Sequence, residues 1–264
     1  MNITILASGS KGNVAYIETT NKKLIIDVGL SKKKTNELLN ETNFIDLNDI
    51  DLILITHAHI DHVNGFIPIY NMYQDIKFIT SEKIKGEMEE KLKRKFLNDR
   101  FIFIDGYSKG KDIDIFAFKL NHDVTCQGYM IVDKHTNESY VHIADNGKLF
   151  DKDTVEMLHN KTFYAIESNH DRTLQVLDKI RHVGLKRRVL GYYGHTNNVD
   201  AIELTFKLVG DNTKSVVFTH LSEECNKPTL AKEIHENMIA IWGHKSLFKN
   251  IRMLYALQDI PVEL

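Results

Sequence analysis

The chain has 264 residues, and 42% of them are hydrophobic, which is enough to bury a large core. Its formal net charge of −2 excludes the overall positive charge typical of non-specific nucleic-acid binders, although a local basic groove is compatible with it. With three prolines and no Gly/Ser-rich tract, no linker is visible, so we expect a single domain over residues 1–264. Two cysteines are too few for a disulfide framework. Without a secretory signal or long apolar span, a cytoplasmic location and no membrane contact are the default expectations.

The first segments of the chain are short apolar runs separated by turns. The sequence predicts strands at residues 2–7, 15–19 and 24–27. The turn S-G-S-K-G-N at residues 8–13 has small residues that let backbone amides approach a phosphate or a metal site, with a plain hairpin turn as the alternative. Asp27 is expected either to hydrogen-bond a metal-ligand histidine or to cap a helix, and Ser31 is a good N-cap for a helix through residue 39.

The most informative stretch is an apolar strand that ends in a histidine cluster. Residues 52–55 predict a short strand buried on both faces, and the chain continues as T-H-A-H-I-D-H. His57 and His59 are two apart, so in extended backbone they leave on the same side and can converge on one ion. Asp61 and His62 need a tight turn to reach a neighbouring position. Imidazole and carboxylate ligands suit zinc, manganese or iron, so the stretch predicts a metal site. The alternative interpretation is a histidine-rich surface loop.

The rest of the chain predicts alternating helices and strands. We expect helices at residues 63–73, 81–97, 151–158 and 171–183, after Asn198 up to residue 209, and at residues 229–238. We expect strands at residues 78–80, 101–104, 113–120, 127–132, 140–143, 163–166, 215–219 and 250–257. The charged helix over residues 81–97 is interpreted as a solvent-exposed helix. The alternative is a contact for substrate phosphates through Lys91, Lys93, Arg94 and Lys95.

Three polar residues follow apolar strands and share that position. They are His122, Asp145 and His220. Taken singly, His122 and Asp145 are more often caps or turn formers, but the common place at strand ends favours ligands. His122 is well placed to complete a three-histidine set with His57 and His59.

The sequence resembles the WalJ/YycJ family of small metallo-β-lactamase-fold proteins over about residues 1–230, in the ordered motifs S-G-S-K-G-N, D-V-G-L-S, T-H-A-H-I-D-H, N-H-D, A-D-N-G, E-S-N-H-D, G-H-T-N-N and H-L-S. The resemblance implies an α/β fold, a four-layer αββα sandwich with a two-metal site at the sheet edges. It implies one metal on His57, His59 and His122, a second metal on Asp61, His62 and His220, and Asp145 bridging the two. After H-L-S this chain reads Glu223-Glu224 where members often carry Asn-Asn, and it reads Asp145-Asn146-Gly147-Lys148 where the family has a D-x-G-Y-like stretch. Both departures concern substrate choice.

The chemistry implied by such a site is hydrolysis. Two divalent ions, zinc or manganese with iron as a further option, lower the pKa of a bridging water from about 16 toward 7. Asp61 would orient the resulting hydroxide, and His195, by the resemblance, would stabilise or protonate the departing oxygen. Candidate contacts to phosphates or to the metal ligands are Ser10, Asn13, Asn169 and Ser222.

The leading hypothesis is a phosphodiesterase acting on nucleic acid, a nuclease resembling a DNA exonuclease. One alternative is a phosphodiesterase for small cyclic nucleotides, and another is a non-catalytic, metal-binding regulatory module. β-Lactam hydrolysis is disfavoured because a carboxylate at Asp145, rather than a thiolate, would serve the second ion. The resemblance is compatible with a homodimer.

Overall fold

The strands form two mixed sheets. The structure is a computed structural model, which describes residues 1–148, 150–258 and 260–264. Within these residues each sheet has seven strands. The first sheet contains β1 (Asn2–Ala7), β2 (Val14–Glu18), β3 (Lys23–Ile26), β4 (Leu52–Leu54), β5 (Lys77–Thr80), β6 (Phe101–Phe103) and β14 (Val262–Glu263), in the spatial order β14-β1-β2-β3-β4-β5-β6. The second contains β7 (Tyr107–Lys109), β8 (Ile113–Leu120), β9 (Cys126–Asp133), β10 (Ser139–Ile143), β11 (Phe163–Glu167), β12 (Ser215–Thr219) and β13 (Arg252–Tyr255), in the order β13-β12-β11-β10-β9-β8-β7.

The helices lie on the outer faces of the two sheets. They are α1 (Lys32–Asn43), α2 (Ile60–Val63), α3 (Phe66–Met72), α4 (Glu82–Lys91), α5 (Lys152–Leu158), α6 (Arg172–Leu177), α7 (Val183–Leu190), α8 (Asn198–Leu208), α9 (Pro228–Ile241) and α10 (Lys245–Phe248). The predicted cap Ser31 accepts a hydrogen bond from the amide of Lys34, and α9 begins at Pro228, whose missing N–H costs nothing there.

Three apolar clusters define the layers. The central cluster joins inward-facing residues of both sheets, such as Ile5 and Leu54 of the first with Ile131 and Val217 of the second. A second cluster packs α1, α3 and α4 on the first sheet, and a third packs α5, α8 and α9 on the second. The predicted αββα sandwich is therefore confirmed. Because the central cluster draws on both sheets, it agrees with the expectation of one domain, which stays a prediction.

The strand directions bring several carboxyl ends to one edge of the second sheet. β9 is antiparallel to both of its neighbours, so β8 and β10 run the same way, and β11 and β12 are parallel to β10. In the first sheet, β3 and β4 are parallel. The polar residues that follow these strands therefore lie at shared sheet edges, as the sequence predicts.

Two predicted helices are shorter than expected, for local reasons. The helix predicted over residues 63–73 is interrupted at Gly65, whose amide donates to Val28 O at 2.8 Å instead of continuing from α2 into α3. The helix predicted over residues 81–97 ends with α4, because the Glu89 carboxylate accepts a hydrogen bond from Phe96 N at 2.8 Å and turns the chain back.

The helix predicted over residues 171–183 is in fact two helices, α6 and α7. Asp178 ends the first, since its carboxylate accepts from the amides of Ile180 and Arg181 at 2.9 and 2.5 Å. The His182 side chain then caps α7 by accepting from Gly184 N. Three further elements, β7, β14 and α10, are not predicted from the sequence, because each is too short for a periodic pattern to form. Among the described residues, the helices are too short or too polar to cross a membrane.

Candidate metal centre

The histidine loop, residues 56–62 after β4, is held in place by hydrogen bonds from two turns of the first sheet. Asn13 N donates to Asp61 O and Val28 N donates to His62 O, each at 2.8 Å. The chain also approaches the loop so closely at Gly29 that a Cβ there would lie 1.7 Å from Asp61 O. Only glycine allows this contact, so the turns that resemble the family motifs fix the backbone of the loop.

One group of candidate ligands is formed by His57, His59, His122 and Asp145. Their ligand atoms all lie within 4.8 Å of one another, and Asp145 Oδ2 is 3.7 Å from His57 Nε2 and 3.5 Å from His122 Nε2. Within the described residues, the buried His57 Nε2 has no hydrogen-bond partner. Burial lowers the pKa of His57 well below its ordinary value and lowers that of His59 to about 4. These imidazoles are therefore neutral, which is the form that binds a metal.

A second group is formed by Asp61, His62 and His220, whose ligand atoms also lie within 4.8 Å of one another. Asp145 Oδ1 faces this group, 3.8 Å from His62 Nε2 and 2.8 Å from His220 Nδ1. The buried Nε2 of His220 lacks a hydrogen-bond partner in the described part of the chain. The two oxygens of Asp145 thus face different groups, an arrangement suited to a carboxylate between two ions.

Protons supply positive charge in the second group. Burial alone would lower the pKa of His62, but the carboxylates around it, with Asp27 the strongest, raise the pKa to about 9. Burial is likewise outweighed at His220, where Asp145 raises the pKa well above the ordinary value. A metal needs the neutral imidazole, so its binding at this group would release protons.

Asp27 supports the second group without belonging to it. Its carboxylate is buried and accepts hydrogen bonds from Thr56 N and Thr56 Oγ1 at 2.8 and 2.7 Å. His62 Nδ1 lies 2.7 Å from Asp27 Oδ2, which leaves His62 Nε2 facing Asp145. Of the two roles expected for Asp27, the structure therefore displays the contact to a histidine of the loop, while the cap of α1 is Ser31.

Glu167, at the end of β11, was not singled out from the sequence. It is fully buried, and its Oε1 lies 2.6 Å from His195 Nδ1 and 3.0 Å from His220 Nδ1. Its Oε2 accepts from the amides of Asn146 and Thr196 at 2.9 and 3.0 Å. Burial would lower the pKa of His195, but Glu167 raises it above the ordinary value. The available signal was the strand-end position of E-S-N-H-D, the same pattern that indicated Asp145.

Asp123 is a second site residue that was not predicted from the sequence. Its Oδ1 lies 3.3 Å from His59 Nε2 and 3.2 Å from His122 Nε2, and its Oδ2 pairs with Arg188 Nε at 2.7 Å. The motif N-H-D was the signal for it. Through Asp123, the first ligand group is connected to α7.

A cleft of about 410 Å³ opens over both groups. It is lined by His59, Asp61, Asp145, His195 and His220, together with the candidate contact residues Ser10, Asn169 and Ser222. The remaining candidate, Asn13, lies beside the cleft with Nδ2 3.1 Å from His62 Nε2. Asn169 donates to His220 O at 2.8 Å, and Ser222 Oγ accepts from Arg181 Nη2 at 2.9 Å.

The donor set fits divalent metals with nitrogen and oxygen ligands. Imidazole and carboxylate suit zinc, manganese and iron, and neither group contains a thiolate. His57 and His220 each bury a ring nitrogen that has no hydrogen-bond partner among residues 1–148, 150–258 and 260–264, which would be costly without a bound cation or water. The residues predicted to hold metal thus lie in two neighbouring groups, and four of them line one cleft: His59, Asp61, Asp145 and His220.

The sequence of the chain is similar to those of known proteins. A sequence profile of the metallo-beta-lactamase superfamily matches residues 8–125. The chain is 36% identical over 241 residues to Exodeoxyribonuclease WalJ of Streptococcus pneumoniae serotype 2, which covers 90% of this chain and 87% of that protein. It is 32% identical over 234 residues to Exodeoxyribonuclease YycJ of Bacillus anthracis, covering 88% and 86%.

Solved structures agree on the fold. The metallo-beta-lactamase fold protein YhfI from Bacillus subtilis superposes with a TM-score of 0.67 at 15% identity, covering 100% of this chain and 98% of that one. At this identity the likeness concerns the fold alone. On its sequence relatives, together with the two ligand groups at the sheet edges, the chain belongs to the WalJ/YycJ family of the metallo-β-lactamase superfamily.

Proposed function

We propose that the chain is a metal-dependent hydrolase of phosphodiester bonds in nucleic acid, acting as an exodeoxyribonuclease. The observation that carries the proposal is the convergence of two ligand groups on Asp145 at the base of a cleft. Its support from relatives is the activity named for two proteins that are 36% and 32% identical over most of their length. Zinc or manganese, two ions per chain, would occupy the two groups, with iron as a further option.

The chemistry that two bound divalent cations supply is hydroxide at neutral pH and neutralisation of charge on the phosphate. The residues of the chain supply position and a proton. We assign to Asp61, which lines the cleft, the orientation of the attacking oxygen.

His195 is the proposed acid of the reaction. Its Nδ1 is held by Glu167, so its other ring nitrogen is left to donate a proton to the departing oxygen. The carboxylate of Glu167 raises the pKa of His195, which keeps the ring protonated at higher pH than an ordinary histidine. Glu167 is in this proposal a positioning residue, because it acts through the histidine.

A nuclease panel tests the proposal. Labelled single-stranded and duplex DNA, RNA and cyclic nucleotides are incubated with manganese or zinc, comparing wild type with Asp61→Ala and, as a control, Asp153→Ala on α5. We expect wild type and the Asp153→Ala control to cleave linear DNA from its ends and to leave circular DNA intact. Asp61→Ala should lose the cleavage. Cleavage that survives in Asp61→Ala would remove this residue from the mechanism.

The same panel separates the alternatives. Turnover of cyclic nucleotides without cleavage of any nucleic acid would identify a small-ligand phosphodiesterase. Two bound ions without hydrolysis of any substrate, bis-p-nitrophenyl phosphate included, would identify a regulatory module. We also propose a cytoplasmic location and a homodimer, which cell fractionation and sedimentation equilibrium respectively would test.

A further inference from the structure

Residues 172–193, which include α6 and α7, form a segment that we name the basic arm. It contains six lysine and arginine residues and one acidic residue, a formal net charge of +5 in a chain whose net charge is −2. The arm also exposes large apolar side chains: Leu177 is 67% exposed, Ile180 is 93% exposed and Val183 is 58% exposed. Positive charge concentrated in one segment indicates an anionic partner, and the apolar side chains indicate that this partner has apolar faces.

The basic arm is one wall of the cleft over the metal centre. Arg181, Leu185 and Arg188 line the cleft together with the candidate ligands. The arm is anchored where it meets the site, since Val189 O accepts from His195 N at 3.0 Å and Arg188 pairs with Asp123. A polymer bound along the arm would therefore lie beside the residues proposed to cleave it.

Two tyrosines end the arm just before His195. Tyr192 is 51% exposed and Tyr193 is 58% exposed, with ring centroids 4.8 Å apart in an edge-on arrangement. Lys148 Nζ lies 4.6 Å from the centre of the Tyr192 ring. Exposed aromatic rings beside cationic side chains are suited to binding a nucleotide, whose base can stack on a ring while its phosphate contacts a cation.

We propose that the basic arm binds an unpaired strand of the substrate, with phosphates on Lys179 and Arg187 and a base stacked on Tyr192 or Tyr193. The inference rests on the proposed function and narrows its substrate. Lys179 and Arg187 are exposed and form no ion pair within the described residues, whereas the cleft-lining Arg181 and Arg188 pair with Glu224 and Asp123. A single strand presents base faces to aromatic and apolar side chains, whereas a duplex hides them between its base pairs, so the composition of the arm favours the single strand.

The test measures binding without turnover. Fluorescence anisotropy with manganese present compares a short labelled oligodeoxythymidylate, its terminal linkages replaced by nuclease-resistant phosphorothioates, with its duplex, for wild type and arm variants whose melting temperatures match wild type. We expect tighter binding of the single strand and an approximately tenfold loss (about 1.4 kcal/mol) for Tyr192→Ala combined with Tyr193→Ala. Tyr192→Phe combined with Tyr193→Phe keeps both rings and should bind as wild type does.

Salt dependence tests the cations separately. Lys179→Gln and Arg187→Gln should each reduce the slope of log K against log salt by about 0.7, the value for one contact to a single-strand phosphate. Lys152→Gln, on α5, is the matched control and should leave the slope unchanged. An abasic oligonucleotide should remove the effect of the tyrosines and keep that of the cations.

Three results would overturn the inference: equal or tighter binding of the duplex, unchanged affinity in the double alanine variant, or arm variants that alter only the sedimentation of the protein. The last result would identify the arm as a contact between two copies of the chain. The proposed function is judged by the separate cleavage panel, so a wild type that cleaves DNA while the arm variants bind normally contradicts this inference alone.

Discussion

The histidine loop and the basic arm lie on the same cleft and differ in almost every physical respect. The loop is mostly buried, and backbone hydrogen bonds from Asn13 and Val28 fix it. The arm is mostly exposed and carries a net charge of +5. The candidate ligands therefore depend on burial for their function, while the segment proposed to face the substrate depends on its positive charge and exposed side chains. Changes around the loop should alter metal content, and changes around the arm should alter affinity for a polyanion.

The largest effect is expected where the loop is most tightly enclosed. In Gly29→Ala the new methyl would meet Asp61 O, so the backbone of the loop must move and the second ligand group is disrupted. We expect loss of about 3 kcal/mol in the free energy of unfolding by urea and loss of bound metal by elemental analysis. Gly86→Ala is the control, because a Cβ at this helical position meets nothing within 4 Å, and it should stabilise the protein slightly. Full metal content in Gly29→Ala would contradict the enclosure argument.

A smaller effect, on metal affinity, is expected at Asp27, which contacts the candidate ligand His62. Asp27→Asn removes the charge that orients His62 and keeps the shape of the side chain. Metal affinity, measured by competition with a chromogenic chelator, should weaken about 10- to 100-fold. Unchanged affinity would mean that the hydrogen bonds to Thr56 alone hold the loop.

Removing the charge of Glu167 should change a pH profile. Because this carboxylate raises the pKa of His195, Glu167→Gln should lower that pKa. His195 is proposed to act as an acid, so activity falls as pH rises through its pKa, and the basic limb of the kcat profile should move to lower pH. Glu203→Gln, on the exposed face of α8, should leave the limb in place. If Glu167 had only a structural role, Glu167→Gln would lower activity at every pH without moving the basic limb.

The smallest effect is expected at the rim of the cleft, opposite in sign to the others. Glu224 pairs with Arg181 at 2.6 Å, and the Glu224 side chain is 64% exposed. Glu224→Gln frees Arg181 for a phosphate, and since exposed ion pairs are weak, oligonucleotide affinity should rise about two- to fivefold. Metal content should stay the same. A loss of affinity would place Glu224 among the groups that hold the arm in position.

The sequence predicted the site better where ligands are consecutive or end a strand. His57 to His62 stand together in the chain, and His122, Asp145 and His220 each follow an apolar run, so position along the chain indicated that they would lie close together. Their assignment to two metal ions came from the family resemblance and stays a prediction. Glu167 was missed because its role depends on two histidines from other strand ends and on burial, neither of which a local pattern displays. Asp123 was missed for a similar reason, since its partner Arg188 is distant in sequence.

The fold followed the same rule. Layers and most strands could be predicted, because apolar periodicity reports burial directly. Helix ends could not, because each is decided by one side-chain contact, such as Glu89 accepting from Phe96 N or Asp178 from Arg181 N. The division of residues 171–183 mattered most, since it separates α6 from α7 and forms the basic arm.

The ligand groups draw on both sheets of the sandwich, and this has a consequence for stability. Asp145 and His220 follow strands of the second sheet, while His57 and His62 follow a strand of the first. Bound ions would therefore fasten the two sheets at their open rim, and ions that bind only the native state would add about 2.7 kcal/mol at a concentration of 100 times Kd. A chelator should then destabilise the chain mildly, and the melting temperature should rise with the concentration of metal.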